Sequence, residues 1–379
     1  MKIVCISASQ VPYNAANSIQ TMKATHALAK LGHDVTLIVP VMNEPGSASR
    51  EWASLARYYG LSVPFQIEWL PTPSRRLFSL SAVRRAKALK PALIYVWPLQ
   101  SAVLGQLHGL PTILEMHDLP SGRVGPLYYS YFRDLAGHKR ITVVTKALKK
   151  ALDEGYGNVF PAKDVILAPN GVEIERFANL PNPATARRHL GLVEAPTVGC
   201  AGHLYEGRGM ELFIKLAKRM KDVRFVWAGG RPEDVEHWRT QATTQGATNV
   251  LFTGFVLNEQ LPLYQAAADI LLMPYGKEIS ISSGKGNSAI VSSPMKMFEY
   301  LATGRPIVAT NLPVFHEVLS DKNAVFCAPE KVLDWEGALR GLLDNPKRGE
   351  QLGQQAREDA KKYSWTERAK RILDGFPPA

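Results

Sequence analysis

Short apolar runs alternate with longer amphipathic stretches along the whole chain. The runs predicted as strands are residues 2–7, 34–39, 65–70, 92–97, 112–116, 140–144, 165–168, 197–201, 224–228, 250–253, 270–273, 307–309 and 324–327. Several are almost entirely apolar, which is typical of strands covered on both faces of a parallel sheet. Helical patterns lie between them, for example at 18–31, 209–218 and 296–303. This alternation predicts right-handed strand–helix–strand units and doubly wound α/β sheets.

The strand series starts again after a proline-rich break, Leu-Pro-Asn-Pro at residues 180–183. A chain of 379 residues is also longer than one ordinary core supports, so two domains are expected. We therefore predict one Rossmann-like domain over 1–180, a second over 181–355, and a C-terminal helix within 356–379. The helical pattern of that last segment already begins near residue 351 and continues to 373.

The formal net charge of +11 is concentrated in the first half of the chain. Residues 1–180 carry 20 Lys and Arg against 12 Asp and Glu, and no acidic residue occurs between Glu68 and Glu115. The basic residues inside this acid-free stretch are Arg75, Arg76, Arg84, Arg85, Lys87 and Lys90. Such a patch suits an anionic partner, such as phosphate, an acidic glycan or a membrane surface; a solvated helix face is the alternative. No nucleic-acid-binding module accompanies the charge, so nucleic acid is not expected as a partner.

The apolar runs, the N-terminal segment and the cysteines indicate the cellular compartment in which the protein is expected. No run approaches the roughly 18 consecutive apolar residues of a membrane-spanning helix. The N-terminus enters a strand-like segment directly, without the apolar core and cleavage site of a signal peptide. Cys5, Cys200 and Cys327 each lie in an apolar run, which predicts neither a disulfide framework nor a metal cage. We therefore expect a cytoplasmic protein, with peripheral contact to the inner face of an anionic membrane if the basic patch binds lipid.

The strand-to-helix loops are the candidate sites, because open α/β sheets bind ligands beyond the carboxyl ends of their strands. After the first strand, Asn17 or Ser18 is a candidate N-cap for a helix whose free amides would meet an anion. Residues 202–209 follow the first strand of the second half. They form a glycine-rich turn in which Arg208 offers a planar guanidinium suited to a diphosphate. A solvent-exposed arginine on an ordinary turn is the alternative.

The densest loop lies around residue 295. Pro294 fits an early helical position, which makes Ser293 the predicted N-cap. Lys296 and Glu299 are three residues apart and share a helix face. Lys296 would neutralise phosphate charge, and Glu299 would accept hydrogen bonds from vicinal hydroxyls such as those of a ribose. A surface ion pair between the two side chains is the alternative.

A fourth loop carries His117, at the end of a predicted strand of the first domain. A histidine there is a better functional candidate than most lone histidines. Some motifs are missing from the sequence. Two aspartates separated by one residue, as in a metal–diphosphate clamp, do not occur, and neither do the glycine fingerprints of simple NAD-binding and P-loop proteins. The sequence therefore predicts no metal site.

Several of these segments occur in a fixed order that resembles a known family. They are NSIQ (17–20), ALAKLGHDV (27–35), PNGV (169–172), GHLYEGRG (202–209), ADILLMPY (268–275), SPMKMFEY (293–300) and GRPIV (304–308). Together they resemble the retaining GT-B glycosyltransferases of family 4, in the subgroup with an S-P-x-K-x-x-E-Y motif. The resemblance implies two Rossmann-like domains facing across a cleft, with the acceptor bound by the first and the donor nucleotide by the second. It also implies that the C-terminal helix packs back on the first domain.

The resemblance also assigns roles to residues. Glu299 would hold the donor ribose, Arg208 the diphosphate, and the loop containing Phe255 the base. The implied donor-binding residues are Asn17, Gly202, His203, Arg208, Phe255, Ser293, Pro294, Met295, Lys296 and Glu299, and the implied catalytic residues are His117, Arg208 and Lys296. Two positions depart from the usual pattern. His203 stands where most members have arginine, and Val291 stands where many have the first of two glutamates, which touches the donor sugar. That contact is then expected from Lys296 or from residues 275–286.

The function implied is retaining, metal-independent transfer of a sugar from a nucleoside-diphosphate sugar to a glycan, glycolipid or small-molecule acceptor. Synthesis of cell-surface polysaccharide or glycoconjugate is the expected setting. The nucleotide sugar is a substrate, and no cofactor is expected. Two alternatives remain open: a sugar-nucleotide epimerase on the same architecture, and a catalytically silent nucleotide-sugar-binding protein.

Overall fold

The computed structural model of the protein describes residues 1–41, 49–72, 75–158, 160–278 and 290–376. The strands, in chain order, are β1 (Lys2–Ile6), β2 (Asp34–Pro40), β3 (Gln66–Leu70), β4 (Leu93–Val96), β5 (Thr112–Met116), β6 (Lys139–Val143), β7 (Val165–Leu167), β8 (Thr197–Ala201), β9 (Arg224–Ala228), β10 (Val250–Phe252), β11 (Ile270–Met273), β12 (Ile307–Thr310) and β13 (Val325–Cys327). Each predicted strand is confirmed to within one residue at either end. The buried, apolar runs therefore marked the strands reliably.

The helices lie between the strands, as the alternating pattern predicts. They are α1 (Ala16–Lys30), α2 (Trp52–Tyr59), α3 (Arg75–Ala88), α4 (Leu99–Leu107), α5 (Gly125–Asp134), α6 (Lys146–Tyr156), α7 (Pro183–His189), α8 (Met210–Arg219), α9 (Pro232–Thr244), α10 (Leu261–Ala266), α11 (Met295–Thr303), α12 (Val332–Leu343), α13 (Pro346–Ala360) and α14 (Trp365–Leu373). Across the described ranges, no helix is long and apolar enough to span a bilayer.

The strands form two parallel sheets, in the orders β3-β2-β1-β4-β5-β6-β7 and β10-β9-β8-β11-β12-β13. Each sheet reverses its direction of growth once, between β1 and β4 in the first and between β8 and β11 in the second. The predicted fold class is confirmed: both sheets belong to doubly wound, Rossmann-like α/β layers. Such a reversal opens a crevice at the carboxyl ends of the two strands, where ligands of this architecture bind.

The chain divides into two compact units. The first unit comprises Met1–Asn170 together with Trp365–Ala379, and the second comprises Gly171–Ser364. The division lies at Asn170 rather than at the proline-rich break of residues 180–183. The intervening residues pack with the second unit, where the Arg176 guanidinium donates to Asn258 Oδ1 at 2.8 Å. The break itself serves as a helix start, since the Asn182 side chain accepts from the Thr185 amide and caps α7.

The C-terminal helical pattern over residues 351–373 was expected to form one helix, and this prediction is wrong. α13 ends at Ala360, a turn of 3-10 helix follows, and Ser364 takes an extended backbone with φ −64° and ψ 145°. The Val172 amide donates to the Tyr363 carbonyl at 2.9 Å, which fixes this break. Only the piece after the break, α14, belongs to the first unit. Its first residue, Trp365, is buried there.

Candidate functional site

The loops after β8 and β11 meet at the strand-order reversal of the second sheet. The Gly276 amide donates to the Gly207 carbonyl at 2.9 Å. Gly209 ends the first loop with φ 86°, and a Cβ there would lie 1.7 Å from the Pro274 carbonyl oxygen. The two backbones therefore touch, and only glycine has both the conformation and the space that this contact requires.

α11 is fastened to the same place by a buried tyrosine. The Ala201 amide, at the end of β8, donates to the Tyr300 hydroxyl at 2.8 Å. Burial raises the pKa of Tyr300 well above its ordinary value, so its hydroxyl stays protonated and neutral. The start of α11 is thereby held beside the glycine-rich loop, and both predicted elements of the phosphate site lie together in the second unit.

Two cations meet around one aromatic ring at this point. The Arg208 guanidinium lies 5.0 Å from the centre of the Tyr275 ring, and its Nη1 donates to the Tyr275 hydroxyl at 2.8 Å. The Lys296 ammonium lies 5.1 Å from the same ring centre and 5.5 Å from that of Trp227. The Lys296 side chain passes beside Gly202, where a Cβ would be in ordinary van der Waals contact with Nζ at 3.4 Å. Arg208 and Lys296, predicted separately from two motifs, are brought together.

Neither cation is neutralised by a carboxylate within the part of the chain that the structure describes. The Lys296 ammonium instead lies 3.8 Å from the Cys200 sulfur. Burial raises the pKa of the Cys200 thiol against the opposing charge of Lys296, so the thiol stays protonated and supplies no counter-charge. Two positive charges held by π-faces without an acidic partner favour an anionic ligand.

Glu299 lies on the same helix but has a different partner from Lys296. Its Oε2 accepts from Gln265 Nε2 at 2.8 Å, and Gln265 is itself buried in α10. The surface ion pair between Lys296 and Glu299 that the sequence left open is therefore not formed. Gln265 orients the Glu299 carboxylate, and the other carboxylate oxygen, Oε1, has no hydrogen-bond partner among the described residues and can accept from hydroxyl groups.

The helix start differs by one residue from the prediction. Pro294 is the N-cap of α11, with an extended ψ of 126°, and Met295 is the first helical residue. The prediction that Ser293 is the N-cap of this helix is therefore wrong, and Pro294 supplies no capping side chain. Proline is tolerated there because its ring fixes φ and an N-cap needs no intrahelical donor. Val291, in place of a glutamate, is buried.

The flanks of the site carry two further predicted residues. The His203 ring stacks on Tyr205 with 5.0 Å between ring centres and 12° between planes. Phe255 is exposed and follows Gly254, whose backbone bridges Gly229 at the end of β9. The loop 275–286 was also predicted as a candidate for contact with the donor sugar. Residues 279–286 of this loop lie outside the described residues.

The first unit presents its own loop at the reversal between β1 and β4. α1 begins at Ala16, with Ala15 as N-cap and no capping side chain, so the predicted capping by Asn17 or Ser18 is wrong. The Ser18 hydroxyl instead donates to the Gln10 carbonyl at 2.7 Å and lies 2.6 Å from the Tyr59 hydroxyl. The buried Ser18 side chain therefore fixes the loop before α1 through these contacts, while Asn17 is exposed on the first turn of α1.

His117 follows β5 and is bound to a carboxylate that the sequence did not single out. Its Nε2 lies 2.6 Å from Oε1 of buried Glu115, which also pairs with Arg368 of α14 at 2.8 Å. Tyr275 and Trp227 were likewise missed as parts of the cation site. An aromatic residue at the end of an apolar strand was the available signal for Tyr275, but a core role explains such a residue equally well.

The basic stretch of the first unit is partly neutralised. Arg85 forms a two-bonded ion pair with Glu68, with both N···O distances at 2.7 Å. Arg84 and Lys87 are exposed on the same helix, α3. The side chains of Arg75 and Arg76 lie outside the described residues. In the described part of the chain, no three His, Cys, Asp or Glu side chains are grouped to hold a metal ion.

Two family models match this sequence. The model described as Glycosyltransferase Family 4 matches residues 19–176, and the model described as Glycosyl transferases group 1 matches residues 195–345. The first match ends close to the boundary between the two units, and the second lies wholly inside the second unit. Together the two matches cover more than half of the chain.

Curated relatives are similar over part of their length. The alpha-galactosylglucosyldiacylglycerol synthase of Streptococcus pneumoniae is 24% identical over 274 residues, which are 69% of this chain and 67% of that protein. The GDP-mannose-dependent alpha-(1-6)-phosphatidylinositol monomannoside mannosyltransferase of Mycolicibacterium smegmatis is 27% identical over 242 residues, or 62% of this chain and 61% of that protein. The chain thus spans roughly three fifths to two thirds of the length of these relatives.

Solved structures share the fold over nearly the whole chain. HepE of Anabaena, in complex with UDP, matches with a TM-score of 0.74 over 99% of both chains at 17% identity. WaaG, a glycosyltransferase involved in lipopolysaccharide biosynthesis, matches with a TM-score of 0.66 over 99% of this chain and 100% of its own at 16% identity. Likeness at these identities establishes the GT-B fold, and the two matching family models establish membership: the chain belongs to glycosyltransferase family 4, among the group 1 glycosyl transferases.

Proposed function

We propose that the protein transfers a sugar from a nucleoside-diphosphate sugar to a glycan or lipid-linked acceptor, without metal and with retention of the anomeric configuration. The observation that carries the proposal is the pair of cations around Tyr275. Arg208 and Lys296 lie at the strand-order reversal, at the N-terminal end of α11, and lack acidic partners among the described residues. A diphosphate brings the negative charge that such a place favours.

The chemistry requires charge stabilisation more than a nucleophile. As the bond between the sugar C1 and the diphosphate breaks, its electron pair goes to the leaving oxygen. The acceptor hydroxyl attacks C1 from the same face and its proton passes to the leaving phosphate, which preserves the configuration. Arg208 and Lys296 stabilise the charge that develops on the diphosphate, and Glu299 binds the ribose hydroxyls. In this scheme His117 binds a sugar hydroxyl and forms no covalent intermediate.

The first prediction concerns the donor nucleotide. We will test UDP, GDP, ADP and TDP, together with the monophosphate CMP. We expect one of these nucleotides to raise the melting temperature of the protein, and to do so equally in magnesium and in EDTA. A ligand at 100 times its Kd adds about 2.7 kcal/mol to stability, which a thermal shift detects easily. UDP is the first to test, because the structurally similar HepE was solved with UDP and with UDP-glucose.

The matched control is the same panel on Arg208→Ala and Glu299→Gln. The first variant is expected to lose the shift from diphosphates, and the second to bind more weakly any nucleotide that has both ribose hydroxyls. If folded wild-type protein responded to no nucleotide, the donor site would be wrong. A shift that appears only with magnesium would overturn metal independence.

A catalytically silent nucleotide-sugar-binding protein is the second candidate. The buried Val291 favours it, because that position lacks the carboxylate that touches the donor sugar in many family members. Incubation with the donor and an acceptor extract separates the two. Release of nucleoside diphosphate with a labelled sugar in product supports transfer. Binding without transfer or hydrolysis supports the silent protein, and a free, changed sugar without acceptor supports an epimerase.

We propose that the first unit binds the acceptor, because it exposes both an apolar and a basic surface. On α5, Leu127 and Tyr131 are one turn apart and exposed, and Val124 is exposed just before them. α5 packs on α4, and α4 packs on α3, which carries exposed Arg84 and Lys87. Exposed apolar side chains and exposed lysine and arginine on the same unit suit the headgroup region of an anionic membrane, where a lipid-linked acceptor is found.

We therefore expect the protein to bind vesicles that contain anionic phospholipid at low salt, and to be released at about 1 M salt, where the Debye length is only about 3 Å. Leu127→Ser is expected to weaken binding because it removes an apolar contact. Leu333→Ser, on α12 of the second unit, is the matched control, since Leu333 is 67% exposed and Leu127 is 68% exposed. Co-sedimentation measures both. Absence of binding to anionic vesicles even at low salt would end this assignment.

A further inference from the structure

A buried carboxylate in the first unit gathers three polar contacts on one oxygen. Oε1 of Glu115, in β5, accepts from Gln20 of α1, lies 2.6 Å from Nε2 of His117, and forms an ion pair with Arg368 of α14 at 2.8 Å. Gln20 and Arg368 come from distant parts of the sequence. The environment of His117 is therefore set by tertiary structure and not by its own loop.

Arg368 is held firmly in place by its other contacts. Its Nε donates to the Pro169 carbonyl at 2.8 Å, and its Nη1 lies 3.3 Å from the Tyr95 hydroxyl. The guanidinium also lies 5.3 Å from the ring centre of Trp365, one turn earlier in α14. A guanidinium fixed on three sides presents its remaining nitrogen to Glu115 in one geometry.

The protonation state of Glu115 follows from this pairing. Burial alone would raise the pKa of Glu115, but the charge of Arg368 and the hydrogen bond from His117 outweigh it and lower the pKa to about 2. An ionised carboxylate only accepts hydrogen bonds, so the hydrogen in the 2.6 Å contact belongs to His117 Nε2. In a neutral imidazole the other nitrogen, Nδ1, then carries no hydrogen.

We propose that Arg368 is a positioning residue for His117: it keeps Glu115 ionised, and ionised Glu115 leaves Nδ1 of His117 as a bare acceptor for a sugar hydroxyl. The part of this statement that concerns the hydroxyl rests on the proposed function. The part that concerns the ring nitrogens does not, and it is tested separately. The C-terminal helix α14 thereby contributes to the chemistry of a loop that lies more than 200 residues earlier in the chain.

Loss of the Arg368 charge has a defined consequence. Without a neighbouring cation, a buried carboxylate is destabilised in its ionised form and takes up a proton. Oε2 of Glu115 is buried without a hydrogen-bond partner among the described residues, so a hydroxyl on Oε2 would be an unsatisfied donor. The proton therefore either stays on Oε1, whose hydroxyl donates to Nε2, or passes to His117. In both cases Nδ1 gains a hydrogen and changes from an acceptor to a donor. A hydroxyl that donates to Nδ1 then loses its partner.

Nitrogen NMR of histidine-labelled full-length protein tests this directly. We would record it at about pH 8, where an ordinary imidazole is neutral, and assign the His117 signals by their absence in His117→Asn. The wild type and Arg368→Lys, which keeps the charge, are expected to show Nδ1 without hydrogen. Arg368→Gln, which keeps donors but loses the charge, is expected to show Nδ1 with hydrogen.

Arg140→Gln is the matched structural control. Arg140 donates to the Ile372 and Asp374 carbonyls at 2.7 Å and so holds the other end of α14, without touching Glu115. It is expected to leave His117 Nδ1 bare. The proposal is overturned if the wild type carries hydrogen on Nδ1, if folded Arg368→Gln keeps Nδ1 bare, or if Arg140→Gln changes it in the same way. If Arg368→Gln does not fold, the wild-type spectrum still tests the proposal, because hydrogen on Nδ1 of the wild type would overturn it.

Turnover adds a second readout. The thermal-shift panel names the donor base, and nucleotide sugars of that base are then screened for turnover. With the active donor, kcat is expected to fall at least tenfold in Arg368→Gln and to recover in Arg368→Lys, a change of about 1.4 kcal/mol in activation free energy. The nucleotide thermal shift, which reports on the second unit, is expected to stay unchanged. Unaltered kcat together with the expected nitrogen signals would overturn the role of Nδ1 in binding the hydroxyl. Absence of any nucleotide shift in the wild type would instead count against the proposed function.

Discussion

Lys296→Ala and Arg208→Ala are each expected to lower kcat by on the order of 10²-fold or more, the loss seen when one preorganised donor to a developing anion is removed. Both charges lie within about 5 Å of the Tyr275 ring centre and face no carboxylate among the described residues. They need no rearrangement to meet a leaving diphosphate. Because the charge on that group grows in the transition state, the larger effect belongs in kcat and not in KM.

Steady-state kinetics on purified variants measures this prediction. Arg239→Ala is the control, because Arg239 is a surface cation of the same unit that pairs with Glu236 on α9. It is expected to leave kcat unchanged. Tyr275→Phe keeps the ring beneath both cations but removes the hydroxyl that binds Arg208, so a smaller loss of kcat is expected. Full turnover by Arg208→Ala or Lys296→Ala would refute electrostatic stabilisation by these residues.

Gly209→Ala is expected to destabilise the second unit by more than about 4 kcal/mol, a size reserved for severe steric or burial defects. An alanine at φ 86° is strained by about 1–2 kcal/mol in the left-handed region. In addition, its Cβ would lie 1.7 Å from the Pro274 carbonyl oxygen, which belongs to backbone and cannot turn away. The loops after β8 and β11 must then separate.

Gly246→Ala separates the two contributions. Gly246 has a similar φ of 75°, but a Cβ there meets nothing within 4 Å. It is expected to lose only the conformational part, about 1–2 kcal/mol. Hydrogen exchange of β8 and β11 peptides at increasing urea gives the free energy of unfolding of this unit. Equal losses in the two variants would mean that the contact between the loops does not contribute to stability.

Local pattern predicted most of the secondary structure in this protein. The strands of both sheets are short apolar runs between turn residues, and each was found where the pattern put it. Helix starts were less well predicted. Ser18 and Ser293 are good capping residues by type, yet Ser18 bonds to Gln10 and Tyr59, and α11 begins after Pro294. A serine hydroxyl can form a hydrogen bond of similar strength with a nearby backbone amide or with a residue distant in sequence. The sequence alone does not show which distant residue is close in the fold.

The candidate site divides in the same way. The glycine-rich loop, Arg208, Lys296 and Glu299 were predicted as candidate site residues from the sequence, because a glycine-rich loop and a helix start are local arrangements of neighbouring residues. The rings that contact these cations were not predicted as parts of the site. Tyr275 contacts both cations and Trp227 contacts Lys296, but Trp227 lies in one strand and Tyr275 follows another. Their shared position depends on the order of β9, β8 and β11 in the sheet.

By itself, the sequence determined that this chain forms two parallel α/β layers and which loops carry its charged chemistry, because both follow from hydrophobic period and local turn geometry. Only the tertiary structure decided where the C-terminal helical pattern breaks, what neutralises Glu115 and what holds His117. Arg368 and Tyr95 are 273 residues apart in the chain yet 3.3 Å apart in the fold. Such contacts depend on how whole elements pack, and no local pattern of residues encodes the partner.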